Sequence, residues 1–442
     1  MYLCEYYQSL PMRPLILFLF LSKCLLGQLT FVTEDLDRFW QAYDSLQTTT
    51  DTVAQLDYLQ RLYLAPATPG LDELREARNY QPEEYLAAIR NYPKFWRSIR
   101  ARTQDGSLYG EIAEQVAALQ QLYPPLRPAT VYVAMGVFRT AGTAMGDHIL
   151  FGAEMALPDR TADVSELPEH TQQYYANYDL PAYLPFLGVH EYVHTQQREL
   201  VHNLLTYCIY EGVAEFIAVQ ATGRPSFTPA VAYAAEHPHE VRDLFVQEMY
   251  DPSQTYGWLW GSATRFGHRD MGYAVGYQLA QGYYAQATDK AAAIKTMIEL
   301  DFADTAAVAD YVDRSGYFTQ PLDTLSARYE RLRPFVTHTA GVTNGSRDVT
   351  PGTRTMTFHF SEALNGYHTG LDYGPAGEAV VPVIDPAQAW GSDSTSWTIR
   401  MDLEPSRHYQ FVVSENFRLA SGVRLRPLRV EFWTGKATGT GE

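Results

Sequence analysis

The chain has 442 residues, of which 46% are hydrophobic, enough for more than one core. Its 51 acidic and 34 basic residues give a net charge of −17, which argues against binding nucleic acid or an anionic membrane surface. Length and composition therefore predict two domains, or one large and one small domain. They also predict that the protein binds neither nucleic acid nor an anionic membrane surface.

The N-terminal segment has the pattern of an export signal. Residues 14–21 form an apolar run directly after Arg13, and this run is too short to span a bilayer. Met12 is an alternative start, because residues 1–11 contain no basic side chain. Cleavage after Gly27 would make residues 1–27 a signal peptide. The mature chain is then expected to be secreted or periplasmic, without a transmembrane span.

The cysteines leave two further questions open. Cys24 is a candidate lipid-attachment site, but Lys23 stands where a lipobox has a small residue, so soluble export is preferred to a lipoprotein. After cleavage only Cys208 remains, which excludes an intrachain disulfide and, within an apolar stretch, predicts a core residue.

The region from about 28 to 130 is predicted to be helical, with apolar residues recurring at helical spacing. These stripes include Leu36, Phe39, Trp40, Tyr43 and Leu46, then Phe95, Trp96 and Ile99, then Ile112, Val116 and Leu119. Residues 130–135 predict a strand, and a turn-rich segment at 139–146 leads into a second strand at 149–154.

An H-E-x-x-H pentapeptide, His190-Glu191-Tyr192-Val193-His194, lies in an apolar stretch that predicts a helix starting at Pro185. On a helix, His190 and His194 share one face about one turn apart, so both imidazoles can bind one Zn²⁺. Glu191 is then placed as general base toward the water that the metal activates. A coincidental polar run on an exposed helix is the alternative.

A second apolar stretch, residues 204–220, predicts a buried helix that ends at Gly223. It carries Glu211 and Glu215 on one face, and buried carboxylates require a partner or a metal. We expect Glu211 to be the third zinc ligand and Glu215 to accept the second N–H of a ligand histidine; the reverse assignment stays open. Two histidines and one carboxylate with an open fourth position are typical of a catalytic zinc site.

The composition changes near Pro334, where helical sequence gives way to short alternating strands rich in Thr, Gly and Ser. Residues 334–442 therefore predict an all-β sandwich following a domain at 28–333. The later strands resemble bacterial Ig-like domains of surface-layer type, which implies a spacer or adhesion module and a possible cell-envelope partner.

The paired motifs at 190–194 and 211–216 resemble the gluzincin pattern of thermolysin-like and aminopeptidase-N-like enzymes. This resemblance implies an α+β fold: a mainly helical zincin-like domain with a small antiparallel sheet, followed by the β-sandwich. It implies that residues 142–155 form the strand beside which an extended peptide binds, with an ordinary hairpin as the alternative. It also implies an oxyanion-stabilising side chain, for which Tyr273 is the first candidate and His268 the second; close helix packing through Gly272 and Gly276 is the alternative.

A closer resemblance is to the predicted Zn-dependent proteases related to gliding-motility lipoproteins. The segments that carry it are 190–197 and 211–217, with three further ones at 92–100, 142–155 and 270–284, over roughly residues 35–320. The chain is thus expected to be a secreted or periplasmic zinc metallopeptidase acting on a peptide or protein substrate. The alternative is a catalytically silent zincin-fold protein that serves binding or assembly in the cell envelope.

Overall fold

The computed structural model describes residues 29–261, 265–385 and 389–436. The predicted signal peptide, the alternative start at Met12 and the candidate lipid-attachment site Cys24 lie outside these residues. Among the described residues, no helix is both long enough and apolar enough to cross a bilayer.

Six helices follow the first strand, β1 (Leu29–Val32), and capping residues or first-turn prolines in the sequence mark the start of several of them. Asp51 and Thr68 cap two of them with side-chain oxygens, and three begin with proline in the first turn, where no N–H is needed. The predicted apolar stripes are buried, with Phe39, Trp40 and Trp96 almost fully enclosed. The helices are α1 (Glu34–Leu46), α2 (Thr52–Leu59), α3 (Pro69–Arg78), α4 (Pro82–Asn91), α5 (Pro93–Thr103) and α6 (Tyr109–Leu122).

The first sheet has four strands in the order β1-β2-β4-β3, with β2 at Ala129–Ala134, β3 at Gly142–Met145 and β4 at His148–Gly152. The expectation of a small antiparallel sheet is wrong for two of its three strand pairs. β2 is parallel to both β1 and β4, and only β3 pairs antiparallel. The reason is connection length: the long helical crossover from β1 to β2 permits parallel pairing, whereas a short turn joins β3 to β4.

The helices that come next in the chain after the first sheet are α7 (Ala153–Ala156), α8 (Glu169–Asn177), α9 (Leu180–His194), α10 (Leu204–Thr222), α11 (Pro229–Glu236), α12 (Pro238–Glu248), α13 (Thr255–Leu259), α14 (Met271–Gln286), α15 (Lys290–Ile298) and α16 (Thr305–Ser315). The motif residues lie on two of these helices, α9 and α10. The predicted start of α9 at Pro185 is wrong, because Pro181 occupies the first turn and Pro185 lies inside the helix. Gly223 ends α10 in the left-handed conformation, as predicted.

Helices α10 and α14 approach each other through glycines. A Cβ atom placed on Gly276 would lie 1.7 Å from the carbonyl oxygen of Cys208, and one on Gly212 would lie 2.0 Å from the carbonyl carbon of Gly276. No side chain fits at either position. This contact brings the first turn of α14, including Tyr273, against the middle of α10, where Glu211 lies.

The residues that the structure describes divide into two units: those up to Leu244 together with those from Tyr256 to Thr319, and Phe245–Thr255 together with those from Gln320 onward. The second unit contains α17 (Leu322–Leu332) and two antiparallel sheets around one apolar core that includes Phe358, Trp397 and Phe411. Its strands are β5 (Val336–Gly341), β6 (Gly352–Phe360), β7 (Leu371–Tyr373), β8 (Val383–Ile384), β9 (Ala389–Trp390), β10 (Ser396–Leu403), β11 (His408–Val413) and β12 (Leu428–Trp433). The predicted α+β class is confirmed.

Candidate metal centre

Helix α9 carries the pentapeptide toward the interior of the first unit. His190 and Glu191 are each only 6% exposed, and Val189 and Val193 flank them in the core. The alternative of a polar run on an exposed helix is therefore wrong. Because the polar groups are buried together, each requires a partner there.

Three side chains supply donor atoms that converge on one point. The Nε2 atoms of His190 and His194 are 3.2 Å apart. Glu211 Oε2 lies 3.4 Å from the first and 3.1 Å from the second. Among the described residues, these three form the one group of His, Cys, Asp and Glu side chains close enough to hold a metal.

The distances fit the demands of zinc. Tetrahedral coordination with bonds of about 2.0–2.1 Å places ligand atoms about 3.3 Å apart, close to all three separations found here. Two imidazoles and a carboxylate are also donors that zinc accepts, with one position left for water or substrate. His190, His194 and Glu211 are therefore able to hold the ion.

The two histidines have different partners on their second ring nitrogens. His190 Nδ1 lies 3.0 Å from Glu215 Oε2, and Ser226 Oγ donates to the other oxygen of Glu215 at 2.5 Å. Glu215 therefore has the position expected for a carboxylate that orients a histidine. The Glu211 carboxylate lies instead beside the two converging Nε2 atoms. Such a contact holds the imidazole in one orientation and presents its Nε2 to a metal.

His194 has a neutral partner. Its Nδ1 lies 2.7 Å from Gln197 Oε1, and Gln197 Nε2 donates to the carbonyl of Tyr210 at 2.9 Å. The Tyr210 ring stacks on the His194 ring with centroids 4.3 Å apart. Sequence reasoning did not assign roles to Gln197, Tyr210 or Ser226. The position of Gln197 three residues after His194, one helical turn away, was a signal for the first.

The electrostatics show a strongly coupled cluster. Burial alone would lower the pKa of His190, but hydrogen bonds to Glu211 and Glu215 outweigh it and raise that pKa to about 10. For Glu211, burial opposes ionisation, yet the charges and hydrogen bonds of His194 and His190 hold its pKa well below the usual range. Without a metal, proton sharing between these groups compensates their burial.

Glu191 does not belong to the ligand group. Its carboxyl is buried, and that burial raises its pKa above the ordinary value, while the two histidines partly counteract the effect. A carboxylate whose pKa is raised is a stronger base than an ordinary one, which suits a group that takes a proton beside a metal site.

Of the two candidates for oxyanion stabilisation, only Tyr273 contacts the ligand group. Its ring stacks on His190 with centroids 6.0 Å apart. Burial raises its pKa well above the ordinary value, so the hydroxyl keeps its proton. His268 lies in the turn before α14, and its ring packs on Tyr233 at 4.8 Å. It is not one of the three converging side chains.

Strand β3 is the edge of its sheet and lies over α9. A Cβ atom on Gly142 would lie 3.1 Å from Glu191 Oε1. The N–H of Gly152 donates to the carbonyl of Ala141, which makes these two a hydrogen-bonded pair. By alternation in an antiparallel ladder, Gly142 and Ala144 direct their backbone N–H and C=O groups away from β4, toward the open edge.

A cavity of about 680 Å³ lies at the other end of β3. Its lining includes Gly146 in the β3–β4 turn and, from the α9 side, His194 and Thr195, with Tyr210 from α10. The first unit therefore combines three side chains able to hold a metal, a buried carboxylate, an open strand edge and an adjoining cavity.

The comparisons with known proteins agree with this geometry. A family model described as predicted Zn-dependent protease (DUF2268) matches residues 175–304, the segment that holds α9, α10 and α14. A search of curated proteins finds no match. The relationship to gliding-motility lipoproteins and the Ig-like assignment stay predictions. Residues 175–304, with His190, Glu191, His194 and Glu211 among them, are similar to a family of predicted zinc-dependent proteases.

Proposed function

We propose that the first unit is a zinc-dependent peptidase, with His190, His194 and Glu211 as the metal ligands. The observation that carries the proposal is the set of three ligand separations, 3.1–3.4 Å, which match the edges of a zinc tetrahedron. The coordination leaves one position open, as a catalytic site requires.

A bound zinc ion would polarise a carbonyl and lower the pKa of a water at that open position. Glu191 accepts the proton of the attacking water and passes it to the departing amine. Glu215 and Gln197 keep the two imidazoles oriented. The Tyr273 hydroxyl, kept protonated by burial, donates a hydrogen bond to the developing oxyanion. Within the part of the chain that the structure describes, the ring of His268 packs on Tyr233, outside the ligand group, so we give this part to Tyr273.

A peptide is the substrate class that the surroundings favour. The outward N–H group of Gly142 and both outward backbone groups of Ala144 can bind an extended backbone next to Glu191. An intact Glu191 favours this function over a silent binding or assembly protein, because a purely structural metal site has no use for that buried carboxylate.

Metal analysis of the purified protein tests the centre. We expect about one zinc per chain in the wild type and its loss in His190→Ala, because two remaining ligands hold zinc weakly. His237→Ala, which changes an exposed histidine outside the group, serves as the control and should retain the ion. Absence of zinc from the wild-type protein would contradict the proposed zinc site.

Cleavage of a peptide library tests the activity. The wild type should cleave a subset of peptides, and Glu191→Gln should be slower by about 10²–10⁴-fold while still binding zinc. The matched control is Glu240→Gln on an exposed part of α12. If wild type and Glu191→Gln both bind zinc and neither cleaves any peptide, the alternative of a binding or assembly protein is favoured.

We also propose that the chain is secreted or periplasmic and that its second unit is an Ig-like module contacting a cell-envelope partner. The apolar run at 14–21 and the two antiparallel sheets around one core support these points. N-terminal sequencing of the exported protein should show cleavage after Gly27. A lipid-modified terminus at Cys24 would instead support membrane anchoring.

A further inference from the structure

We propose that Arg78 recognises a carboxylate on the C-terminal side of the scissile bond. The favoured substrates are peptides with either a free C-terminal carboxylate or an acidic side chain within the first residues after that bond. This inference rests on the proposed peptidase function and deepens it.

Arg78 lies at the start of the edge strand, close to the catalytic carboxylate. It is the last residue of α3, and its Nη2 donates to Thr140 Oγ1 at 3.3 Å. The Thr140 hydroxyl in turn donates to the carbonyl of Gly142 at 2.5 Å. A Cβ atom on Gly142 would lie 3.1 Å from Glu191 Oε1, so the chain of contacts from the guanidinium through Thr140 ends beside the reacting region.

The charge of Arg78 lacks a carboxylate partner. Within residues 29–261, 265–385 and 389–436, no Asp or Glu oxygen lies within ion-pair distance of its guanidinium, and its Nε is buried without an acceptor. Its neighbours differ: Arg75 pairs with Asp72, and Arg139 pairs with Glu84. A partly buried guanidinium without a carboxylate carries a desolvation cost that a bound anion relieves. The planar fork of arginine matches a carboxylate with two parallel hydrogen bonds.

Strand direction places that carboxylate on the C-terminal side. A peptide that adds antiparallel to β3 runs opposite to it, so residues after the scissile bond extend from Gly142 back toward Thr140. Thr140 is two residues before Gly142, which corresponds to about 7 Å of extended chain. A carboxylate one or two residues beyond the scissile bond therefore reaches the guanidinium.

An electrostatic effect of Arg78 on Glu191 is an alternative to its role in substrate recognition. Arg78 also interacts electrostatically with Glu191, so its removal could slow every substrate alike. The recognition role instead predicts a loss that depends on the substrate's carboxylate. Matched substrates separate the two roles.

The experiment compares kcat/KM for two pairs of cleaved peptides. One pair differs only in a C-terminal carboxylate against a C-terminal amide, and the other in Glu against Gln one or two residues after the scissile bond. We expect the wild type to prefer the carboxylate member of at least one pair by about 10- to 100-fold. The ratio should collapse to about one in Arg78→Gln and be partly kept in Arg78→Lys. The pair that shows the preference identifies the source of the carboxylate.

Arg75→Gln, one turn earlier on α3 and paired with Asp72, is the control and should keep the wild-type ratio. Circular dichroism and zinc content should be unchanged in the Arg78 variants. An equal loss on both members of each pair overturns the proposal, as does a carboxylate preference confined to the N-terminal side of the bond.

A peptide-binding measurement tests carboxylate recognition independently of peptidase activity. Zinc-loaded Glu191→Gln is titrated with the same peptides, with and without Arg78→Gln, and followed by fluorescence anisotropy. Tighter binding of the carboxylate member that disappears with Arg78→Gln supports recognition even if no peptide is cleaved. Equal binding of both members overturns it.

Discussion

At the scale of single residues, the two histidines of the candidate metal centre are held by groups of different charge. Glu215 offers a carboxylate to His190, and Gln197 offers a neutral amide to His194. A carboxylate makes the imidazole a stronger electron donor, whereas an amide mainly sets its orientation. The two ligands are therefore expected to respond differently when their partners are changed.

Loss of the amide should weaken the metal centre without removing a ligand. Gln197→Leu is expected to lower zinc affinity by about 10- to 100-fold, because His194 loses the group that orients its ring. Competition with a chelating dye measures the affinity. Gln173→Leu, at an exposed position of α8, is the control. Unchanged affinity would show that Tyr210 stacking alone orients His194.

Zinc uptake should release protons at neutral pH. His190 has a pKa of about 10 in the metal-free centre, so it is protonated at pH 7 and must lose that proton to become a ligand. Affinity is therefore expected to rise as pH increases toward 10. Calorimetry in two buffers with different ionisation enthalpies counts the protons released. A heat that does not depend on the buffer would contradict this expectation.

The carboxyl of Glu154 is fully buried, and this burial raises its pKa from 4.5 to about 7, although the N–H groups of Gly136 and Phe138 donate to it. The folded state thus holds a proton that the unfolded state releases between these values, so stability falls as pH rises through that window. Relative to Glu154→Gln, the wild type should lose about 3 kcal/mol of unfolding free energy between pH 4.5 and 7. Denaturant titrations across this range test it; a constant difference would contradict it.

At the scale of elements, the glycine contact between α10 and α14 sets the position of Tyr273 relative to Glu211. Gly276→Ala should lower the free energy of unfolding by about 3 kcal/mol, because its methyl group would overlap the carbonyl of Cys208. Denaturant unfolding measures the change.

Gly110→Ala is the matched control. That glycine is also helical, but nothing lies within 4 Å of its Cβ position, so the expected change is less than about 1 kcal/mol. Equal effects of the two substitutions would show that helix propensity, not close packing, determines the outcome.

Elements could be predicted where local chemistry determines them. The stripe through Phe39 and Trp40 and the stop at Gly223 required only neighbouring residues, and both are confirmed. The parallel pairing of β1 with β2 could not be predicted, because it joins residues about 100 positions apart. The start of α9 was misplaced because two prolines, Pro181 and Pro185, both fit a first turn.

The residues of the candidate site also divide into those that local sequence indicates and those that only the fold brings together. Spacing indicated His190 and His194, because helical periodicity places them on one face, and it favoured Glu211 while leaving Glu215 open as the third ligand. Ser226 lies after α10, and its contact with Glu215 depends on the path of the loop that follows Gly223. Arg78 is more than 100 residues from Glu191, and only the fold brings it to the start of β3. Such contacts have no local sequence pattern.

At the scale of the whole molecule, metal and stability should be linked. A ligand that binds only the folded state stabilises it by about 4 kcal/mol at a concentration 1,000 times its Kd. Chelation should therefore lower the Tm of the wild type, and added zinc should restore it. The His190→Ala variant should be insensitive to both treatments in differential scanning calorimetry. An equal response of that variant would place the stabilising zinc elsewhere.

The open edge of β3 also has a consequence for storage and expression. Unpaired backbone groups that receive a peptide can equally receive a strand from a second molecule, which is how edge strands start aggregation. β3 has only four residues, and Gly146 ends it with a positive φ of 59°. A strand this short offers few hydrogen bonds to a stray copy. Lengthening it through the Gly146 turn should make the protein prone to self-association at high concentration.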